Sequence, residues 1–289
     1  MPAPTGLQIA FLAFAFEFFS MLASKTLAPL IHWPADQFAL LGQLISFSMA
    51  TLILFGFPGL RKRCLSELRV PVPAGSSPEL IAASIAHLAV PFAVVGGVVM
   101  QAFATGSADQ LLSRIPTNDP SMAWEDTLSP PGLLRLFLLA WFVGPVIEEL
   151  VFRGFLYRAF ERQWGWPVSM ALTSFLFGLA HPTHIAAAAL GSVILICVLR
   201  RTGSLRACIF VHITFNILIS WPLFGQVLLT APKGLSTSIA TWSIQLACLA
   251  FAAVALPAYV WMSRKAKLPA GDGEVAASPV HLGSSRISS

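Results

Sequence analysis

The chain has 289 residues, of which 56% are hydrophobic and only 11% are charged, and its mean hydropathy is +0.76. A water-soluble globular domain is excluded, because such domains carry about 25% charged residues. The net charge of +5 needs no nucleic acid to explain it, since basic loops beside a bilayer bind anionic headgroups.

Apolar stretches long enough to cross a membrane recur along the chain. A hydrocarbon core of about 30 Å is crossed by about 20 apolar residues in a helix. Windows of that length predict about eight transmembrane helices, over residues 6–24, 37–58, 79–105, 133–156, 166–182, 184–199, 204–223 and 238–262. The sequence therefore predicts an all-α fold, a polytopic membrane helix bundle.

Three stretches have the composition of soluble segments. Two are the loops after the second and third spans, RKRCLSELRVPVPAGSSPE and SADQLLSRIPTNDPSMAWEDTLSPPG. The third is the tail over residues 263–289, which has too few apolar residues to fold alone and is predicted to be disordered. We therefore expect a single integral-membrane domain over residues 1–262.

Basic residues are distributed unevenly between the two sides of this predicted bundle. With the N-terminus in the cytoplasm, the inner side carries Arg61, Lys62, Arg63, Arg69, Arg153, Arg158, Arg162, Arg200, Arg201, Arg206, Arg264, Lys265, Lys267 and Arg286. The outer side carries only Lys25, Arg114, Arg135 and Lys233. Because cytoplasmic loops are enriched in Lys and Arg, both termini are predicted to be cytoplasmic.

A few polar side chains fall inside the predicted spans. A charged group at membrane depth costs at least ~2.5 kcal/mol, so each is a candidate for function. They are Glu17, Glu148, Glu149, Arg153, His181, His184, His212 and Asn216. Glu17 and His184 fit no motif, and we expect structural roles for both.

Spacing separates the two glutamates of the fourth span. Glu149 and Arg153 stand four residues apart on one helical face, with the acid before the base, which predicts an ion pair. Glu148 points about 100° away and has no cation within its own helix. It is therefore left for a partner on another helix, where a carboxylate can serve as a general base.

Two further helical pairs supply such partners. FGLAH places Phe177 and His181 on one face at the end of the fifth span, and HITFN does the same for His212 and Asn216 in the seventh. A carboxylate with a histidine can deprotonate water, and a histidine with an amide can hold an oxyanion. Together they would support hydrolysis of a peptide bond in a membrane cavity.

The motifs EELVFR, FGLAH and HITFN resemble the EExxxR, FxxxH and HxxxN signatures of the CPBP family, which includes the type II CAAX prenyl endopeptidases. The resemblance covers roughly residues 130–225 and agrees in order, spacing and helical setting. It implies an eight-helix intramembrane protease with a cavity open to the cytosol. The catalytic residues that it implies are Glu148, Glu149, Arg153, His181, His212 and Asn216.

The resemblance also implies a role for each motif. Glu148 looks like the base that activates water, with His181 assisting, and the Glu149–Arg153 pair looks like its support. The HxxxN pair looks like the oxyanion site. One difficulty is depth: counted from Trp166, His181 lies about 22 Å into its span, further from the cytoplasmic side than Glu148.

The residues leave the use of a metal open. Glu148, His181 and His212 could be three zinc ligands with a fourth position free for water, although the compact HExxH signature is absent. Because a carboxylate beside an ion-paired neighbour can act as a base without a metal, we expect no required cofactor. Zinc is the alternative.

Two other classes of function stay open. A secondary transporter could use Glu148 or Glu149 as a proton carrier, although no inverted repeat is visible. A non-catalytic membrane adaptor or immunity protein is the other class, since some relatives are known mainly as such.

The expected partners are the lipid bilayer and a membrane-anchored peptide or protein substrate, prenylated or carrying a C-terminal sorting signal. Nucleic acid is not expected. The expected location is a bacterial inner membrane, with the protein integral and multi-pass.

Overall fold

A computed structural model of the chain describes residues 35–106, 141–181, 184–220 and 235–266, and every regular element in these ranges is a helix. In chain order they are α1 (Ala35–Gly56), α2 (Pro58–Arg69), α3 (Ser77–Ala104), α4 (Gly144–Glu149), a π-helix (Leu150–Tyr157), α5 (Arg158–Leu179), α6 (Ile185–Thr202), α7 (Leu205–Ile219) and α8 (Leu235–Ser263). The all-α class is confirmed for these ranges. The first predicted span, the start of the fourth, and the tail from residue 267 lie outside them.

Within the described ranges, three helices are long and apolar enough to cross a bilayer. They cover Ser77–Val98, Ile185–Thr202 and Ser243–Ser263, and shorter apolar helices cover Phe47–Gly56 and Leu205–Ile219. An integral membrane protein is therefore supported. The number of eight spans, the orientation of the termini and the single domain over residues 1–262 stay predictions.

A helix occupies part of the loop predicted between the second and third spans. α2 has Pro58 in its first turn, where a missing N–H removes no helical hydrogen bond. It buries Leu60, Cys64 and Glu67 and exposes Arg61, Lys62 and Arg69. A window of about 19 residues cannot detect a short helix that packs with one face only, which is why the loop prediction missed α2.

The fourth and fifth predicted spans form one helical hairpin. The chain stays helical from Gly144 through the π-helix to Trp164, and Gly165 then leaves helical geometry with φ 73° and ψ 168°. Glycine adopts this positive φ without a steric penalty. The rings of Phe152 and Phe177 meet across the two arms with centroids 5.0 Å apart, so the chain reverses direction at Gly165.

This hairpin corrects the predicted span boundaries. The sequence predicts that the fourth span ends at residue 156 and that the fifth begins at 166, which puts His181 deeper than Glu148. In the structure Glu148 lies 17 residues before Gly165 and His181 lies 16 residues after it. At 1.5 Å per residue each is roughly 25 Å along its arm, so the two side chains lie at the same depth.

Helix α6 lies at the centre of the described bundle and contacts α3, α5, α7 and α8. Its residues from Ile194 to Leu199 are all buried. Glycine lets α5 approach closely: a Cβ at Gly178 would lie 2.8 Å from the carbonyl oxygen of Ile185 in α6. The second motif, FGLAH, is thus held against the bundle core.

Basic residues connect helix ends at one side of the bundle. Arg158, at the start of α5, binds Glu67 of α2 with an N–O distance of 2.8 Å. Arg200, near the end of α6, is buried and donates hydrogen bonds to the carbonyls of Ser263 and Ala266. Since the last carbonyls of a helix lack intrahelical partners, Arg200 caps the C-terminal end of α8.

Candidate active site

Side chains from three motifs meet where the hairpin packs against α7. Glu148 and Glu149 end α4, Arg153 lies in the π-helix, His181 follows two residues after α5, and His212 lies in α7. Asn216 is half-buried one turn after the α7 histidine. Wider helical turns such as this π-helix occur frequently at functional sites.

The expected ion pair between Glu149 and Arg153 is present and fully enclosed. Arg153 Nη1 lies 3.0 Å from Glu149 Oε1, and both side chains are 0% exposed. The guanidinium also lies over the ring of Phe177, with Cζ 4.3 Å from the ring centroid. A charge that is cut off from water in this way needs a bonded counter-charge, and each residue supplies one to the other.

Glu149 also accepts a hydrogen bond from His212, which the sequence does not predict. His212 Nδ1 lies 2.8 Å from Glu149 Oε1. An ionised carboxylate can only accept, so Nδ1 carries the proton and Nε2 of the neutral ring has a lone pair. This Nε2 faces Glu148, 3.8 Å from its Oε2. Helical periodicity relates residues within one helix and cannot reveal a bond between two helices.

His181 is oriented in the same way by a different acceptor. Its Nδ1 donates to the backbone carbonyl of Phe177 over 2.8 Å, which again leaves a lone pair on Nε2 of the neutral ring. Nε2 lies 4.0 Å from Glu148 Oε2. The Phe177 ring packs on the imidazole with centroids 4.5 Å apart, as the FxxxH spacing indicates.

Three acceptor atoms therefore face one small space: Oε2 of Glu148 and Nε2 of each histidine. Distances of 3.8 and 4.0 Å are too long for direct hydrogen bonds but suit a bridging water, which joins groups up to about 5.5 Å apart. Glu148 is 19% exposed and Glu149 is 0% exposed. Water can thus reach the first glutamate and not the second.

The same three side chains are the alternative zinc ligands. Ligand atoms of a tetrahedral zinc site lie about 3.4 Å from one another when each is about 2.1 Å from the metal, which is shorter than the separations observed. In the parts of the chain that the structure describes, no group of three or more His, Cys, Asp or Glu side chains is arranged to hold a metal ion.

The sequence assigns structural roles to two further polar residues, Glu17 and His184. Glu17 falls outside the described residues. His184 lies directly before α6, is exposed, and has its ring centroid 5.2 Å from that of His181. Neither observation tests the structural role, which stays a prediction for both.

Sequence reasoning missed one histidine beside the site. His87 of α3 is 5% exposed, and its ring centroid lies 6.2 Å from that of His212. The rule that singles out ionisable side chains in apolar spans applies equally to the stretch IAHLAV. A histidine within the third predicted span could therefore have been selected from the sequence. It was missed because no second motif residue stands at helical spacing from it.

Comparison with known proteins agrees with the motifs. Residues 130–218 match the family model described as "Type II CAAX prenyl endopeptidase Rce1-like". Neither a curated protein nor a solved structure matches the chain. The matched range contains all three motifs and every residue of the cluster around Glu148. Residues 130–218 thus carry a domain like that of the Rce1-like type II CAAX prenyl endopeptidases, which supports a protein of the CPBP family of intramembrane proteases.

Proposed function

We propose that this protein is an intramembrane endopeptidase in which Glu148 is the general base that activates water. The family match over residues 130–218 supports CAAX-type endopeptidase activity in general. The observation that carries the assignment to Glu148 is the convergence of Nε2 of His181 and of His212 on its Oε2, at 4.0 and 3.8 Å.

The chemistry follows from this arrangement. Glu148 takes a proton from a water that also hydrogen-bonds to His181, and the water oxygen bonds to the peptide carbonyl carbon. The carbonyl electron pair moves to its oxygen, which faces His212 and Asn216. When that pair returns, the C–N bond breaks, and the proton held by Glu148 passes to the leaving amine.

The oxyanion role sets a condition on the protonation of His212. Its Nδ1–H is directed at Glu149, so Nε2 can donate only when the ring is an imidazolium. The carboxylate of Glu149 stabilises that cation.

Replacing Glu148 by Gln tests the proposal. We expect cleavage of a farnesylated C-a-a-X peptide to fall by about 10²–10⁴-fold, since that is what a general base contributes. The matched control is Glu79→Gln, because Glu79 lies at the start of α3 and binds Arg201 and Tyr259. Full cleavage by the Glu148→Gln variant would contradict the assignment.

The same variant separates the other classes of function. A transporter would lose substrate flux on Glu148→Gln, and an adaptor would lose neither flux nor cleavage. The proposed substrate is a membrane-anchored peptide or protein, prenylated or carrying a C-terminal sorting signal, in a bacterial inner membrane. Comparing membrane proteomes of cells with the native protein and with Glu148→Gln would identify it by peptides that accumulate uncleaved.

We propose further that no metal cofactor is required. Glu148 has a water-accessible carboxylate and oriented histidines beside it, so it can act as a base alone. We expect peptide cleavage to survive exhaustive treatment with a strong chelator. Loss of cleavage that is restored by zinc, and not by magnesium, would overturn this proposal.

A further inference from the structure

His87 is held in a tight space beside the proposed site. Its ring stacks on Phe215 of α7 with centroids 4.1 Å apart and an angle of 8° between the planes. On the α6 side, a Cβ at Gly191 would lie 2.3 Å from His87 Nε2 and 2.8 Å from its Cδ2. The ring therefore fits only because residue 191 is glycine.

His212 is fixed at one end and flanked on two sides. Glu149 accepts its Nδ1–H. The ring of Phe177 lies 6.0 Å from its ring, nearly perpendicular, and the ring of His87 lies 6.2 Å away at 50°. A single hydrogen bond leaves an imidazole free to tilt, so the flanking rings decide where Nε2 is directed.

We propose that His87 is a positioning residue for His212. Held between Gly191 and Phe215, its ring blocks the space into which His212 would tilt, and thereby keeps His212 Nε2 directed at Glu148. His87 acts through His212 and does not touch the reacting atoms. This role rests on the proposed peptidase function.

Stability alone does not account for a histidine at this position. His87 Nδ1 is buried, and among the described residues it has no hydrogen-bond partner. A buried polar atom without a partner is unfavourable, so an apolar side chain would be the more stable choice. The imidazole is a rigid five-membered ring that packs directly against Gly191.

Enzyme kinetics with His87→Ala test the proposal. Misplacement of a catalytic group by about 1 Å costs up to about 10²-fold in rate, so we expect kcat to fall by about 10- to 100-fold with KM within about twofold. Added imidazole, which fits the space that the side chain leaves, should restore kcat. An unchanged kcat, or a change in KM alone, would overturn the proposal.

A double variant provides the matched control. Gly191→Ala should lower kcat in the native background, because its Cβ displaces the His87 ring. In the His87→Ala background it should cause no further loss, and it should abolish rescue by imidazole. Independent losses from the two substitutions would contradict the proposal, because coupling through a shared contact is not additive.

Nuclear magnetic resonance of ¹⁵N-labelled histidine gives a readout that does not depend on catalysis. In the native protein the Nδ1–H of His212 is held by Glu149, so its ¹⁵N signals should be single and sharp, and His87→Ala should broaden or split them. Unchanged ¹⁵N signals of His212 in His87→Ala would contradict the positioning role. If Glu148→Gln cleaves the peptide substrate as fast as the native protein, the peptidase proposal fails instead. If His87→Ala does not fold, Gly191→Ala carries the test.

Discussion

Adjacent glutamates in one helix have different surroundings and different proposed tasks. Glu148 is 19% exposed and faces two imidazole nitrogens, whereas Glu149 is 0% exposed and binds Arg153 and His212. One residue of a helix corresponds to a rotation of about 100°. That rotation is enough to put one carboxylate where water can react and the other where only protein atoms reach.

This difference predicts that Glu→Gln substitutions at the two positions have unequal effects on stability. Glu149→Gln leaves a buried guanidinium without its counter-charge, and breaking a buried pair costs about 3–5 kcal/mol. Glu148→Gln weakens only two long ion-pair contacts, with His212 at 3.8 Å and His181 at 4.0 Å, so its free energy of unfolding should stay close to native. Chemical unfolding of both variants in detergent micelles measures this. Equal losses would show that Glu149 is not the structural member of the pair.

What the sequence predicts about individual residues depends on whether their partner is local. The Glu149–Arg153 pair and the Phe177–His181 contact follow from i, i+4 spacing and are present. The bond from His212 to Glu149 and the position of His87 depend on packing between helices. Periodicity contains no information on which faces of different helices meet, and a single sequence cannot supply it.

At the scale of helices, the apolar stretch of the fourth span and the helix that contains it end at different residues. Arg158, Glu161 and Arg162 end the apolar run of the fourth span, and the predicted span ends with it. The backbone nevertheless stays helical until Gly165, because charged residues are good helix formers. Gly165 and Pro167 are the turn signals that mark the true end of the arm.

Close packing of α5 on α6 yields a prediction with a matched control. Gly178→Ala places a Cβ 2.8 Å from the Ile185 carbonyl oxygen and 3.0 Å from the Ala189 Cβ, which forces the helices apart. We expect a lower Tm and weaker cleavage, since His181 follows this helix directly. Gly97→Ala meets nothing within 4 Å and should raise stability slightly by helix propensity, about 0.5–1 kcal/mol. Differential scanning fluorimetry measures the Tm of both variants. A Tm of Gly178→Ala equal to or above that of Gly97→Ala would contradict the prediction.

At the scale of the whole molecule, most basic residues of the described helices lie at one end of the bundle. Contacts from α2, α5, α6 and α8 bring basic residues together there, and Glu67 and Glu79 pair with Arg158 and Arg201. The composition predicts the membrane class, because so few charges cannot solvate a globule of this size. The number of spans depends also on residues outside the described ranges, so hydropathy remains its only basis.

The basic end predicts the orientation of the chain. A fluorescent reporter that folds only in the cytoplasm should be active when fused after the last residue, because Lys and Arg accumulate on the cytoplasmic side. A reporter inserted after Thr105, one predicted crossing beyond the basic α2, should be inactive. The reverse pattern of activities would place the basic end outside and contradict the prediction.

The hairpin that turns at Gly165 imposes a length rule on its two arms. One residue added to either arm would swing its functional side chain about 100° around the axis and shift it 1.5 Å. Glu148 and His181 would then no longer meet. Insertions in the segment 70–76 between α2 and α3 carry no such penalty. Changes in length are therefore tolerable in the connecting loops, whereas the stretch between the first two motifs must keep its length.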